Sequence, residues 1–158
     1  MRILREFDYR NACAIIDGID PNILAAVRRI LTNPAASLNL IAAGKQRSLS
    51  SQVQQWFASE GWRCEVPAAA VPGMRYDLHN GIVPIEIELG HERLVYPDFF
   101  EFMADYSGMH IPAAIMIVTG TPTLFGHTWH CSIASTERKI KAIQSAYLVP
   151  TLLIGVDP

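Results

Sequence analysis

The sequence predicts an α/β fold, a mixed central β-sheet flanked by helices on both faces. Three observations predict it. Two apolar runs of strand length, residues 111–118 and 148–156, call for cover on both faces. Helical periodicity comes first and then alternates with the strand-like runs. An Asn80-Gly81 pair between two strand-like segments marks an antiparallel hairpin in the same sheet. A chain of 158 residues, half of them hydrophobic, is expected to form one core domain over 1–158.

A short helix over 11–17 precedes the first clear one. There Asp20 suits the N-cap and Pro21 the first helical position. Ile23, Leu24, Val27, Ile30 and Leu31 recur at helical spacing until Asn33-Pro34 stops them. Residues 35–47 form a loop ending in Gly44-Lys45-Gln46-Arg47. A helix over 49–60, capped by Ser48 or Ser50, gathers Leu49, Val53, Trp56 and Phe57 on one face, and Gly61 fits its exit. A strand over 62–66 and a loop over 67–73 lead to the hairpin of 75–78 and 82–89. A third helix follows Pro97, with Phe99, Phe102, Met103 and Tyr106 on its buried side and Gly108 after it. The apolar run 111–118, a short strand over 129–133, a helix capped by Ser135 or Thr136 and the run 148–156 complete the chain.

Composition narrows the class. No apolar stretch approaches the ~18 residues of a membrane span, and the first residues hold no apolar signal region. Three distant cysteines without a C-x-x-C pair argue against a disulfide framework, and a cytoplasmic setting is expected. The net charge of −2 hides an imbalance. Between Asp77 and Asp105 lie seven acids and one base, while the rest of the chain carries +4. An acidic centre in a basic body suits a metal site facing a polyanion. A solvated acidic helix would give the same count.

The hairpin carries the chemistry. Along 82–89, Val83, Ile85, Ile87 and Leu89 alternate with Pro84, Glu86 and Glu88, so two carboxylates project from one face and the other packs into a core. With Asn80-Gly81 as a two-residue turn, His79 pairs with Ile82 and Asp77 with Pro84. Asp77 is then a diagonal neighbour of Glu86 on the same face. Such carboxylates can share a hard divalent cation, with waters and phosphate oxygens completing its shell. The other reading is a Glu-x-Glu on the wet face of an amphipathic strand.

The spacing Asp77, eight residues, Glu86-Ile87-Glu88 resembles the motif of the PD-(D/E)XK nucleases. Residues 75–90 (RYDLHNGIVPIEIELG) resemble the catalytic hairpin of type II restriction endonucleases related to BglII, BstYI and BamHI. The opening strand and helix, the helix ending in Gly61-Trp62, the run to Gly120 and the closing strand have counterparts in the same order. The resemblance implies a restriction-endonuclease-like fold. It also implies Mg²⁺-dependent hydrolysis of double-stranded DNA, with Mn²⁺ as a substitute cation, by a homodimer. Asp77, Glu86 and the main-chain carbonyl of Ile87 would bind the cation. Glu88, where most of the superfamily has Lys, would orient or deprotonate the attacking water. Glu65 stands where related enzymes can place a further active-site acid or amide, and an exposed strand-end Glu is its other reading.

Other residues are open to two readings. Lys45 and Arg47, before a helix N-terminus, suit phosphate, and equally a solvated loop. Arg75 flanks Asp77 and can neutralise it or touch phosphate. His91 follows the catalytic strand and can approach DNA. His127, His130 and Cys131 invite zinc, but a fourth ligand at the usual spacing is absent. Arg138, Lys139 and Lys141 form a basic helix start, exposed to solvent or to a DNA backbone. Phe99, Phe100 and Phe102 suit the core or a dimer contact. The leading expectation is a type II restriction endonuclease. The alternatives are a non-restriction nuclease of the same superfamily, acting in repair or defence, and an inactive DNA- or protein-binding domain of that fold.

Overall fold

The structure is a computed structural model that describes residues 1–40 and 47–158, without the side chains of Arg47 and Ser48. Strand β1 (Arg2–Tyr9) leads into helices α1 (Ala12–Ile19), α2 (Asn22–Leu31) and α3 (Arg47–Ala58). Then come β2 (Arg63–Pro67), β3 (Arg75–His79), β4 (Pro84–Glu88) and helix α4 (Val95–Ser107). Strand β5 (Ala114–Thr119), a 3₁₀ turn (Pro122–Phe125), helix α5 (Ile133–Ala142) and strand β6 (Thr151–Asp157) follow. The six strands form one sheet in the order β1-β6-β5-β4-β3-β2. Its centre, β4-β5-β6, is parallel, and β1-β6, β3-β4 and β2-β3 are antiparallel.

Every residue of β5 and β6 is buried, as the two apolar runs predict. Their alternate side chains feed two cores. Ile115, Ile117, Leu152 and Ile154 pack with Ile16, Leu24, Val27 and Phe57 of α1–α3. Met116, Val118 and Leu153 pack with Phe99 and Phe102 of α4, Ile140 of α5 and Tyr147. Helices therefore cover both faces of a mixed sheet, the architecture expected from the sequence.

Gly155 lets α5 lie close on β6. A Cβ there would stand 2.8 Å from Ile133 Cγ2.

Several local expectations change. Asp20 accepts the Asn22 N–H at 2.9 Å, but Pro21 is already helical and holds the cap position of α2. Helix α4 begins at Val95, before Pro97, because a first-turn proline gives up no intrahelical donor. Residues 129–133 form no strand. They make isolated bridges, His130 to His91 and Ser132 to Thr119. Ser132, not Ser135 or Thr136, caps α5 in a reciprocal capping box with Ser135.

The turn of the hairpin is longer than two residues. His79 pairs with Pro84 and Leu78 with Ile85, leaving residues 80–83 in the loop. The Asn80 side chain explains this. Its Oδ1 accepts the N–H groups of Ile82 (2.9 Å) and Val83 (2.8 Å), taking the role expected of a tight backbone turn. The shift is two residues, so Leu78 and Ile85 stay on one face, that of the α1–α3 core.

Candidate active site

The register fixes what meets what. The pairing ends at Leu78↔Ile85, and the same register carried one step further sets Asp77 opposite Glu86 rather than diagonal to it. There β3 also twists. Leu78 packs in the α1–α3 core, whereas Tyr76 stacks on Phe102 of α4 at 5.9 Å between centroids. Across β2, the pairs Cys64↔Leu78 and Val66↔Tyr76 place Glu65 opposite Asp77. Glu65 has φ +52°, a left-handed conformation that kinks the edge strand at this point. The sheet is thus split at Asp77, and the split is lined by carboxylates.

Asp77 Oδ2 accepts the Ile87 N–H at 2.8 Å, and Oδ1 accepts the Gln54 amide at 2.6 Å. The N–H and C=O of one strand residue point to the same side, so the Ile87 carbonyl also faces the split. It accepts the Ser50 hydroxyl at 2.7 Å, which leaves one lone pair. Glu86 is 7% exposed and faces α4, and its Oε1 has no hydrogen-bond partner. The reading of Glu86 as a wet-face residue therefore fails, because β4 is covered on both sides. Glu88 is half-buried, and its Oε1 accepts the Gly90 N–H at 2.7 Å.

Helix α4 supplies acids that hydrophobic periodicity assigns to solvent. Asp98, Glu101 and Asp105 all turn inward, with Glu101 and Asp105 buried. Asp105 is fully engaged. It accepts the Tyr76 hydroxyl at 2.8 Å and the N–H groups of Ala69 (3.0 Å) and Ala70 (2.5 Å), tying the 68–70 loop to the helix. Glu101 Oε1, like Glu86 Oε1, has no partner. Their stripe at i, i+3 and i+7, beside Phe99 and Phe102, is the signal that could have found them.

These acids raise one another's affinity for protons. Burial, and then Asp98, Asp77 and Glu101, push Glu86 well above the usual carboxylate range. Burial, and then Glu88, Asp77 and Glu101, do the same for Asp98. Burial lifts Glu88 to about 7, and burial with Asp105 and Asp77 lifts Glu101 to about 7. Asp77 is also raised, by burial above all, although the Ile87 N–H opposes this.

Among the described residues no three Asp, Glu, His or Cys side chains converge into a ready-made metal cage. Two carboxylates and a main-chain carbonyl are nonetheless the donors a hard cation takes when waters and phosphate oxygens supply the rest. The orphaned Glu86 Oε1 is an acceptor with nothing to accept, so the residues fit such an ion.

The remaining candidates divide. Glu65 joins Asp77 through Gln54, whose Nε2 also lies 3.3 Å from Glu65 Oε1. Arg75 is exposed and donates to the Glu65 carbonyl at 2.9 Å. His91 bridges to His130 and stacks on Trp129 with centroids 5.4 Å apart. Lys45 and the Arg47 side chain lie outside the described residues. The zinc reading of His127, His130 and Cys131 finds no support, because their side chains form no group that could hold a metal ion. His130 Nδ1 meets Leu89 O at 2.7 Å and Cys131 Sγ meets Thr136 Oγ1 at 3.1 Å. Lys139 reaches Glu92 O at 2.6 Å, and Lys141 pairs with Glu137 at 2.6 Å. Phe99 and Phe102 are core, whereas Phe100 is 59% exposed.

No helix among the described residues is long and apolar enough to cross a membrane. No curated protein matches the chain. Among solved structures, the crystal structure of restriction endonuclease BglII complexed with a DNA 16-mer is similar, with a TM-score of 0.74 at 12% identity. That match covers 100% of this chain and 79% of the other, and at this identity it speaks to the fold. The family model for restriction endonuclease BglII/BglIII matches residues 4–156. The chain therefore belongs to the BglII/BglIII family of type II restriction endonucleases, within the PD-(D/E)XK class.

Proposed function

We propose that the protein cuts both strands of a short DNA site in a Mg²⁺-dependent reaction, with Mn²⁺ able to substitute. Asp77, Glu86 and the Ile87 carbonyl would hold the cation. The single observation that supports this most is Asp77 set opposite a buried Glu86 whose Oε1 has no partner. A divalent ion there would supply Lewis-acid polarisation of a phosphoryl oxygen and a lowered pKa for nearby water.

The chain's own residues do the rest. Glu88 is raised to about 7 by burial and is held by the Gly90 N–H, so it accepts a proton from the attacking water near neutral pH. Having no positive charge, it leaves charge stabilisation at the phosphate to the cation. Glu65, brought to Asp77 through Gln54, is an additional acid of the site. Arg75, two residues from Asp77, and His91, just past the end of β4, are proposed to touch the DNA, as are Lys45 and Arg47. Cutting both strands of a symmetric site needs two such centres, hence a homodimer. Tyr96 and Phe100, exposed one turn apart on α4, are an apolar surface that a second copy could cover.

The test is plasmid cleavage with Mg²⁺, beside Asp77→Asn. Discrete fragments from the wild type alone support the reading. A smear points instead to an unspecific nuclease. No cutting of varied DNA with either Mg²⁺ or Mn²⁺ overturns the enzyme.

A further inference from the structure

We propose that Gln54 and Ser50, one turn apart on α3, are positioning residues that set how tightly the Asp77–Glu86–Ile87 site holds its cation. The inference rests on the proposed function and names two residues outside the Asp77–Glu88 motif.

The geometry is specific. The Gln54 Nε2 lies 2.6 Å from Asp77 Oδ1 and 3.3 Å from Glu65 Oε1. Both neighbours are carboxylate oxygens, so the NH₂ end of the amide must face them, and its two hydrogens serve one acid each. Asp77 and Glu65 stand opposite one another on β3 and β2 and repel. A neutral double donor between them holds Asp77 in place without cancelling the charge a cation needs. With Oδ2 on the Ile87 N–H, the Asp77 carboxylate is fixed at both oxygens.

Ser50 performs the matching task on the other side. Its hydroxyl donates to the Ile87 carbonyl at 2.7 Å, which orients that oxygen and leaves it a lone pair. Residues at i and i+4 share a helix face, so one rigid helix reaches two of the three proposed ligands. Val53 and Phe57, buried beside them, lock α3 to the sheet. Partners of this kind, one shell out from a metal, commonly change affinity by about 10–100-fold.

The test measures Mn²⁺ binding by the disappearance of the free-ion paramagnetic resonance signal, without DNA and independently of cleavage. Gln54→Met keeps the length of the side chain and removes the donors. It should weaken Mn²⁺ binding about 10-fold or more, while the thermal midpoint stays near that of the wild type. Ser50→Ala should weaken binding several-fold, and Ser50→Thr, which restores a hydroxyl, should recover it. In cleavage, Gln54→Met should raise the Mg²⁺ concentration for half-maximal rate far more than it lowers the rate at saturation. If Gln54→Met does not fold, Gln54→Asn, with its amide one methylene short, carries the same expectation. Gln54→Met binding Mn²⁺ as tightly as the wild type, while Asp77→Asn loses it, overturns the positioning role alone. A wild type that binds no Mn²⁺ overturns the cation site and this inference with it.

Discussion

The carboxylate of Asp77 accepts the main-chain N–H of Ile87 at 2.8 Å. A side chain thus replaces a strand partner where β3 and β4 part, and the same contact brings the Ile87 carbonyl to the split. Asp77→Asn keeps the shape and an acceptor oxygen but loses the charge. Cleavage should fall by about 10³-fold or more, the scale of losing several kcal/mol of cation chemistry. Far-ultraviolet circular dichroism should be unchanged. Near-wild-type cleavage by this variant would remove Asp77 from the site.

Glu101 and Glu86 bind protons more tightly in the folded chain than the ordinary value of 4.5, and Glu101 titrates at about 7. Folding therefore takes up protons between those limits. Stability falls as pH rises through the window and is lowest above it. The metal-free protein should melt lower at pH 8 than at pH 5.5, and Mg²⁺ should recover part of the loss by binding the native state. Glu101→Gln should flatten the slope and raise the midpoint at pH 8 by about 2–4 °C, the reading of roughly 1 kcal/mol in a chain of this size. Melting curves with equal slopes for both proteins would count against the prediction.

Glu88 titrates at about 7 in the metal-free protein, and a neighbouring cation would lower that value. The cleavage rate should rise with pH to a plateau, with its inflection at or below about 7. Glu88→Gln cannot take a proton. Its rate should drop by about 10²–10⁴-fold, and the inflection should vanish. An unchanged pH profile would assign the proton to another group.

Asp105 satisfies the buried Tyr76 hydroxyl and two loop N–H groups at once. Asp105→Ala should cost about 3–5 kcal/mol, since it strands buried donors as well as removing bonds. Tyr76→Phe should cost only about 1–2 kcal/mol. Urea unfolding separates the two. Equal costs would mean that the loop contacts contribute nothing.

Gly155→Ala should destabilise by about 1–3 kcal/mol, because its Cβ would meet Ile133 Cγ2 at 2.8 Å and Ile133 Cβ at 3.0 Å. Ile133→Val in the same chain leaves the Cβ clash and should relieve little. Ile133→Ala should relieve more of it, at the cost of a cavity. A non-additive double mutant in thermal melting is the expected signature.

Much of this was legible beforehand, for clear reasons. An apolar run such as AIMIVT has one comfortable location, a strand covered on both sides, and that fixed the centre of the sheet. Alternation in β4 gave Ile85 and Ile87 a core-facing side, and the structure packs both in the α1–α3 core. The loop of 80–83 was not legible, because backbone propensity for Asn-Gly gives a tight turn while the Asn80 side chain stabilises a longer one. Nor was the inward stripe of Asp98, Glu101 and Asp105. Patterning places charges outside, and only the tertiary packing of α4 on β3 and β4 places these within. Gln54 carried no signal in the sequence, because polar residues beside an apolar helix stripe usually meet water, and Ser50, expected as a cap, lies inside a helix that begins at Arg47.

The uncompensated acids of β4 and α4 also bear on how this protein could change over generations. Neutral replacements at Glu86 or Glu101 are among the easiest stabilising changes available, because each removes a buried charge. Selection for robustness alone would therefore erode the proposed cation site first and spare the β5–β6 core. A descendant that had lost its cutting role should keep the architecture and betray its past by amides or aliphatics at these positions. Laboratory evolution for thermal tolerance, run without a demand for activity, should meet the same substitutions early.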